Sequence, residues 1–140
     1  MAYNILIVDD SASMRKIIRK TLSLSGFQVG ACVEAANGKE ALEILQQHPV
    51  DLVLSDINMP EMNGVEFLWQ LRQDPRWKQL PVVMITTETS EEIVKEAIEL
   101  GARGYLRKPF RPEQIRSCLT EIMGEPDAED LARNDEGCDF

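Results

Sequence analysis

The sequence predicts an α/β fold in which five parallel strands build one sheet and five helices cover its two faces. Three observations carry this. Short apolar runs alternate with segments of helical period as far as about residue 123, the pattern of repeated βα units. All but the second of these runs are apolar-rich, as strands buried on both faces should be. Capping residues stand before the helical segments and Gly or Pro after several of them, so the alternation has local stop and start signals.

The strands are expected near 4–8, 28–34, 51–55, 81–86 and 103–107; the second, the least apolar, suits an edge of the sheet. A first helix begins after Ser11 as N-cap and ends at Gly26, with Met14, Ile17, Ile18, Thr21 and Leu22 on its inner face by the i, i+3, i+4 rule. Asn37 and Glu40 have capping-box spacing for a second helix, which buries Ala41, Leu42, Ile44 and Leu45 and closes at Pro49. A third helix, about 64–72, carries Val65, Phe67, Leu68 and Leu71. The fourth opens at Thr89 with Glu92 in the box position, buries Ile93, Val94, Ala97 and Ile98, and stops at Gly101. Pro112 starts the fifth, whose stripe is Ile115, Cys118, Leu119 and Ile122. Trp69 and Trp77 are read as packing around the third helix and the Asp74-Pro75 turn, and His48 as an exposed charge at a helix end.

Two parts follow from composition: a folded domain over 1–123 and an acidic tail over 124–140. The tail holds seven acids and Arg133 as its one base, which puts −6 of the chain's −9 net charge there. So few apolar residues cannot offset the entropy of ordering, and the tail reads as a solvated terminus, with an acidic docking or autoinhibitory segment as the second reading. A net charge of −9 argues against DNA or RNA as a partner. The chain opens without a secretory leader and has no apolar stretch near the roughly 20 residues that cross a bilayer, so a cytoplasmic location without membrane contact is expected. Cys32, Cys118 and Cys138 are odd in number and lack a Cys-x-x-Cys pair, which supports neither a disulfide framework nor a zinc site.

The reactive residues cluster at strand ends. Asp9 and Asp10 follow the first run, Asp56 the third, Thr86 closes the fourth and Lys108 follows the fifth; in an open parallel sheet, ligands bind beyond the carboxyl ends of the strands. Unit charges about 4 Å apart repel by roughly 4 kcal/mol at an effective dielectric of 20, so three converging acids need a cation or a proton. Hard carboxylate oxygens suit Mg²⁺, which shares its coordination with phosphate. Asp56 then suits nucleophilic attack on a phosphoryl group, with the Lys108 ammonium and Thr86 hydroxyl on its oxygens. Taken singly, each residue has an ordinary reading: Asp9 and Asp10 as helix caps, Asp56 as a turn residue, Thr86 as a strand residue, Lys108 as a solvated charge and Tyr105 as core. Four strand ends delivering these groups to one rim make the joint reading the stronger one.

Read together, the Asp9-Asp10 pair, the stretch from Ser55 to Gly64, the strand Pro81 to Thr86, and Tyr105 followed by Lys108-Pro109-Phe110 resemble the receiver domain of two-component response regulators, most of all the stand-alone chemotaxis type. The resemblance runs from about residue 3 to 123. It implies a flavodoxin-like, doubly wound sheet of strand order 2-1-3-4-5. It also implies phosphorylation of Asp56 by a histidine kinase, with Mg²⁺ held by Asp10, Asp56 and the backbone carbonyl of Asn58, and by Asp9 mainly through water. Lys108 matches the family's phosphoryl-binding lysine, followed by a cis peptide before Pro109. Thr86 and Tyr105 match its switch pair, acting on a protein partner at the face of helix four, strand five and helix five. Asn58 and Glu88 match the positions that influence dephosphorylation, while Thr87 replaces the smaller residue common after the switch threonine.

The implied protein is a monomeric phosphorylation switch that promotes its own phosphotransfer and dephosphorylation, probed by Asp56 labelling. A phosphorelay intermediate is the alternative within the family. Outside it, a haloacid-dehalogenase-type phosphatase also uses Mg²⁺, a strand-end aspartate and a lysine, but it needs a second aspartate as general acid where Asn58 stands, and an amide cannot transfer that proton.

Overall fold

The computed structural model describes residues 3–87 and 90–123; Glu88, Thr89 and the tail with Cys138 lie outside them. The chain order is β1 (Tyr3–Val8), α1 (Ala12–Leu24), β2 (Val29–Ala35), α2 (Gly38–Gln47), β3 (Leu52–Ser55), α3 (Gly64–Gln73), β4 (Val82–Thr86), α4 (Glu91–Glu99), β5 (Gly104–Arg107) and α5 (Pro112–Met123). All pairings are parallel and the spatial order is β2-β1-β3-β4-β5. Chain direction across the sheet therefore reverses between β1 and β3, the place where such sheets open a ligand crevice.

Alternation along the buried strands feeds two cores, because successive side chains point to opposite faces. Leu6, Val8, Val53, Val82 and Met84 join Phe67, Leu68 and Leu71 of α3 and Ala41 of α2. Ile5, Ile7, Leu52, Leu54, Val83 and Ile85 join Ile18 and Leu22 of α1 and Ile115 and Leu119 of α5. Near-continuous apolar strands are thus explained by burial on both sides. The less apolar β2 does lie at an edge.

Helix starts follow the chemistry of unsatisfied backbone N–H groups. Ser11 Oγ accepts from Met14 N and Asn37 Oδ1 from Glu40 N. A full reciprocal capping box forms at α3, where Asn63 Oδ1 accepts from Glu66 N and Glu66 Oε1 from Asn63 N; the Asn-x-x-Glu spacing signals it. At α4 the N-cap is Ser90 instead of Thr89, and its side chain makes no cap hydrogen bond. The helix consequently begins one residue later than expected, with Glu92 at its second position.

Three apolar side chains expected inside are exposed. Ile17 and Ile98 are 53% and 55% exposed; each sits at the border of its helix's apolar arc, and Ile18, Leu22 and Ala97 hold the buried side. Trp69 is 48% exposed, since Phe67, Leu68 and Leu71 already fill the inner face of α3. Trp77 is partly buried against the core, with the Arg76 guanidinium 4.2 Å over its ring.

Arg72 acts as a clamp. Its guanidinium donates to the carbonyls of Leu100 (3.2 Å), Gly101 (2.9 Å), Trp77 (3.1 Å) and Leu80 (3.0 Å), joining α3, the end of α4 and the segment before β4. Burial, aided by the nearby charge of Arg103, lowers its pKa from the usual arginine value.

Glu61, in the β3–α3 loop, has φ 67°, a left-handed conformation that costs an L-residue roughly 1 kcal/mol and that asparagine tolerates better. Glu61→Asn is expected to raise stability by about 0.5 kcal/mol, seen as a higher urea midpoint at unchanged slope. An unchanged or lower midpoint would mean that the loop stores no such strain.

Candidate functional site

β1 and β3 run side by side with Val8 opposite Ser55, and Asp56 N donates to Val8 O at 2.8 Å. Their carboxyl ends therefore place Asp9, Asp10 and Asp56 together, with one oxygen of each within 4.8 Å of the others. Asp9 and Asp56 are buried and Asp10 is exposed. Lys108, just past β5, reaches across from the far edge of the sheet: its Nζ lies 2.6 Å from Asp9 Oδ2 and 3.1 Å from Asp56 Oδ2. Lys108 N also donates to Thr86 O at 2.9 Å, which brings the end of β4 to the same rim, and the following peptide, Lys108-Pro109, is cis.

Neighbouring residues fix these groups. Asp9 Oδ1 accepts from Ser11 N at 2.9 Å, so Ser11 both caps α1 and holds the carboxylate. Arg15, one turn into α1, donates from Nη1 to Asp9 O at 2.7 Å while its Nε pairs with Glu34 on β2. Asp56 Oδ1 accepts from Ile57 N at 2.7 Å. Behind Asp56 stands Gly64, where a Cβ would lie 2.2 Å from Asp56 O and 2.9 Å from Ile57 Cα. Gly64, which ends the stretch from Ser55 and was expected only to free the backbone past Pro60, has a packing role instead, and Arg15 carries no sequence signal beyond its helix spacing from Ser11.

Thr86 is fully buried at the end of β4. Tyr105, beside Met84 in the ladder, is half-buried and lines a groove between α4 and β5 with Val94, Ile98 and Arg107. Asn58 is exposed two residues beyond Asp56, and Glu88 lies outside the described residues.

The electrostatics ask for a divalent ion. Three carboxylates against one ammonium leave a formal charge of −2 in a partly buried site. Carboxylate oxygens are hard donors, and an exposed Asp10 leaves an open side where a small cation keeps water. The donor set therefore fits Mg²⁺. Burial works against the Lys108 charge, but its bond to Asp9 and the charges of Asp56 and Asp9 outweigh it, and the pKa is raised above the ordinary lysine value. A group whose folded pKa is raised stabilises fully below its unfolded pKa and loses that contribution as pH climbs through the folded value. The difference in urea midpoint between the parent and Lys108→Met is thus expected to stay constant from neutral pH upward and to shrink only in strongly alkaline solution; a difference that closes near neutrality would contradict the pairing.

Residues 5–120 match the family model for the response regulator receiver domain. The chemotaxis protein CheY1 of Helicobacter pylori is 40% identical over 124 residues, covering 88% of this chain and 98% of that protein. The chemotaxis protein CheY-3 of Vibrio cholerae is 41% identical over 119 residues, covering 85% and 90%. Among solved structures, the Vibrio cholerae chemotaxis protein CheY4 superposes with a TM-score of 0.76 at 40% identity, covering 88% of this chain and all of that one.

Proposed function

The chain belongs to the response regulator receiver family, and from that membership we propose that it is a cytoplasmic, monomeric single-domain response regulator, phosphorylated on Asp56 in chemotaxis signalling. The observation that carries this is the Lys108 ammonium bridging Asp9 and Asp56 at 2.6 and 3.1 Å, a preformed cationic seat for a phosphoryl oxygen beside a carboxylate nucleophile.

The donor is a phosphohistidine of a histidine kinase. An Asp56 carboxylate oxygen bonds to phosphorus as the P–N bond breaks, and the released imidazole nitrogen takes up a proton. Positioning and charge neutralisation suffice, since phosphoryl transfer asks little covalent chemistry of the protein. When bound, Mg²⁺ would be held by Asp10 and Asp56, with the Asn58 carbonyl and Asp9 as its further partners, and would supply that neutralisation. Lys108 binds one phosphoryl oxygen and the Thr86 hydroxyl donates to another. These contacts favour a second arrangement only as far as they are better made there, and Tyr105 carries the change to the face of α4, β5 and α5. The exposed Ile98 beside Tyr105 supports that face as the docking surface for the output protein. Asn58 and Glu88 modulate loss of the phosphoryl group. The site's family and its amide at Asn58 leave the phosphohydrolase reading without support.

Labelling with a small acyl phosphate donor tests the reading. One phosphoryl group per chain is expected with Mg²⁺ present and none after chelation; steady turnover of phosphate esters, or labelling indifferent to chelation, would defeat it.

A further inference from the structure

We propose that the groove between α3 and α4 is a docking site for a basic amphipathic helix of a partner protein. This rests on surface chemistry alone and stands whether or not Asp56 carries a phosphoryl group.

The groove holds about 480 Å³, and Met62, Val65, Trp69 and Leu100 give it an apolar lining. Trp69 is nearly half exposed, and leaving so large a ring in water forgoes a burial that helix-binding grooves use as an anchor. Around the lining stand Glu66, Glu96 and Glu99, with no lysine or arginine among the lining residues. The groove between α4 and β5, in contrast, sets Lys95 and Arg107 beside Glu91 and Glu99.

These features select the occupant. An apolar channel between two helices matches the ridge of a third, read as apolar anchors at i, i+3 and i+4. The uniformly acidic border requires that helix to be flanked by Lys or Arg. It also excludes the chain's own tail, which carries −6. One wall is set before any partner arrives, because Arg72 ties the carbonyls of Leu100 and Gly101 to α3. A preformed groove saves the ordering cost of docking.

The test titrates the isotope-labelled full chain with a synthetic amphipathic helix of leucine and lysine, beside a scrambled peptide of the same composition. Saturable shifts of the Trp69 indole and the Met62 methyl are expected, with the Trp77 indole and Ile98 unmoved. Charge reversal in Glu96→Lys/Glu99→Lys, both exposed and folding verified by circular dichroism, is expected to weaken binding by about tenfold or more. The assignment is overturned by absent binding, by equal binding of the scrambled peptide, by shifts confined to the tail or centred on Ile98, or by an affinity unchanged on charge reversal. Concentration-dependent self-association that shifts the same signals would give the groove to a second copy and would equally overturn the partner assignment.

Discussion

Asp56→Asn is expected to abolish phosphoryl labelling, a loss of about a thousandfold or more set by the assay background, while leaving the fold intact. The amide keeps the size of the side chain but is no nucleophile. Of the neighbouring acids, Asp9 is held more tightly than Asp56, with Lys108 at 2.6 Å against 3.1 Å, and Asp10 lies exposed at the rim. Stability should hold or rise without divalent cation, because one of three crowded negative charges is gone and the Lys108–Asp9 pair at 2.6 Å remains. Mg²⁺ should stabilise the variant less than the parent, by mass action on a weakened site. Mass spectrometry after incubation with the acyl phosphate donor reads the first effect and urea melts the second. Label persisting in the variant would place the acceptor elsewhere.

Gly64→Ala is expected to be the most damaging single methyl in the site, costing about 3 kcal/mol by overpacking. Its Cβ would sit 2.2 Å from Asp56 O and 2.9 Å from Ile57 Cα, so backbone has to move, and the backbone in question carries Asp56. The bond from Gly64 N to Ile57 O at 2.8 Å tightens the same contact. Labelling should therefore fall along with stability. Gly101→Ala is the control: φ of 98° strains an alanine there, at about 1 kcal/mol, yet the Cβ would meet only the Arg72 side chain at 2.9 Å. That variant should melt earlier and label normally. If Gly64→Ala labelled as well as the parent at temperatures where both are folded, close packing behind Asp56 would have no part in placing it.

The architecture and most of the site were legible in the chain itself. Apolar runs, caps and the acids, hydroxyl and lysine at strand ends are local features, and a parallel sheet sends every strand end to one rim. Helix faces were read less well. Period places an apolar arc on a helix, but which edge of the arc is covered depends on neighbours distant in sequence, and so Ile17, Trp69 and Ile98 came out exposed. At α4 the expected cap was Thr89, and the helix starts from its neighbour Ser90.

By itself, then, the sequence determined the strand and helix order, the two-sided core and the identity of the groups gathered at the crevice, since each follows from side-chain polarity and backbone propensity along one segment. Tertiary structure alone decided how closely those groups meet. Lys108 touches Asp9 across 99 positions of chain, Arg72 fastens the end of α4, and Gly64 lets α3 press on the backbone of Asp56 just past β3. Such contacts are set by how finished elements pack, and close packing depends on distances that no local pattern encodes.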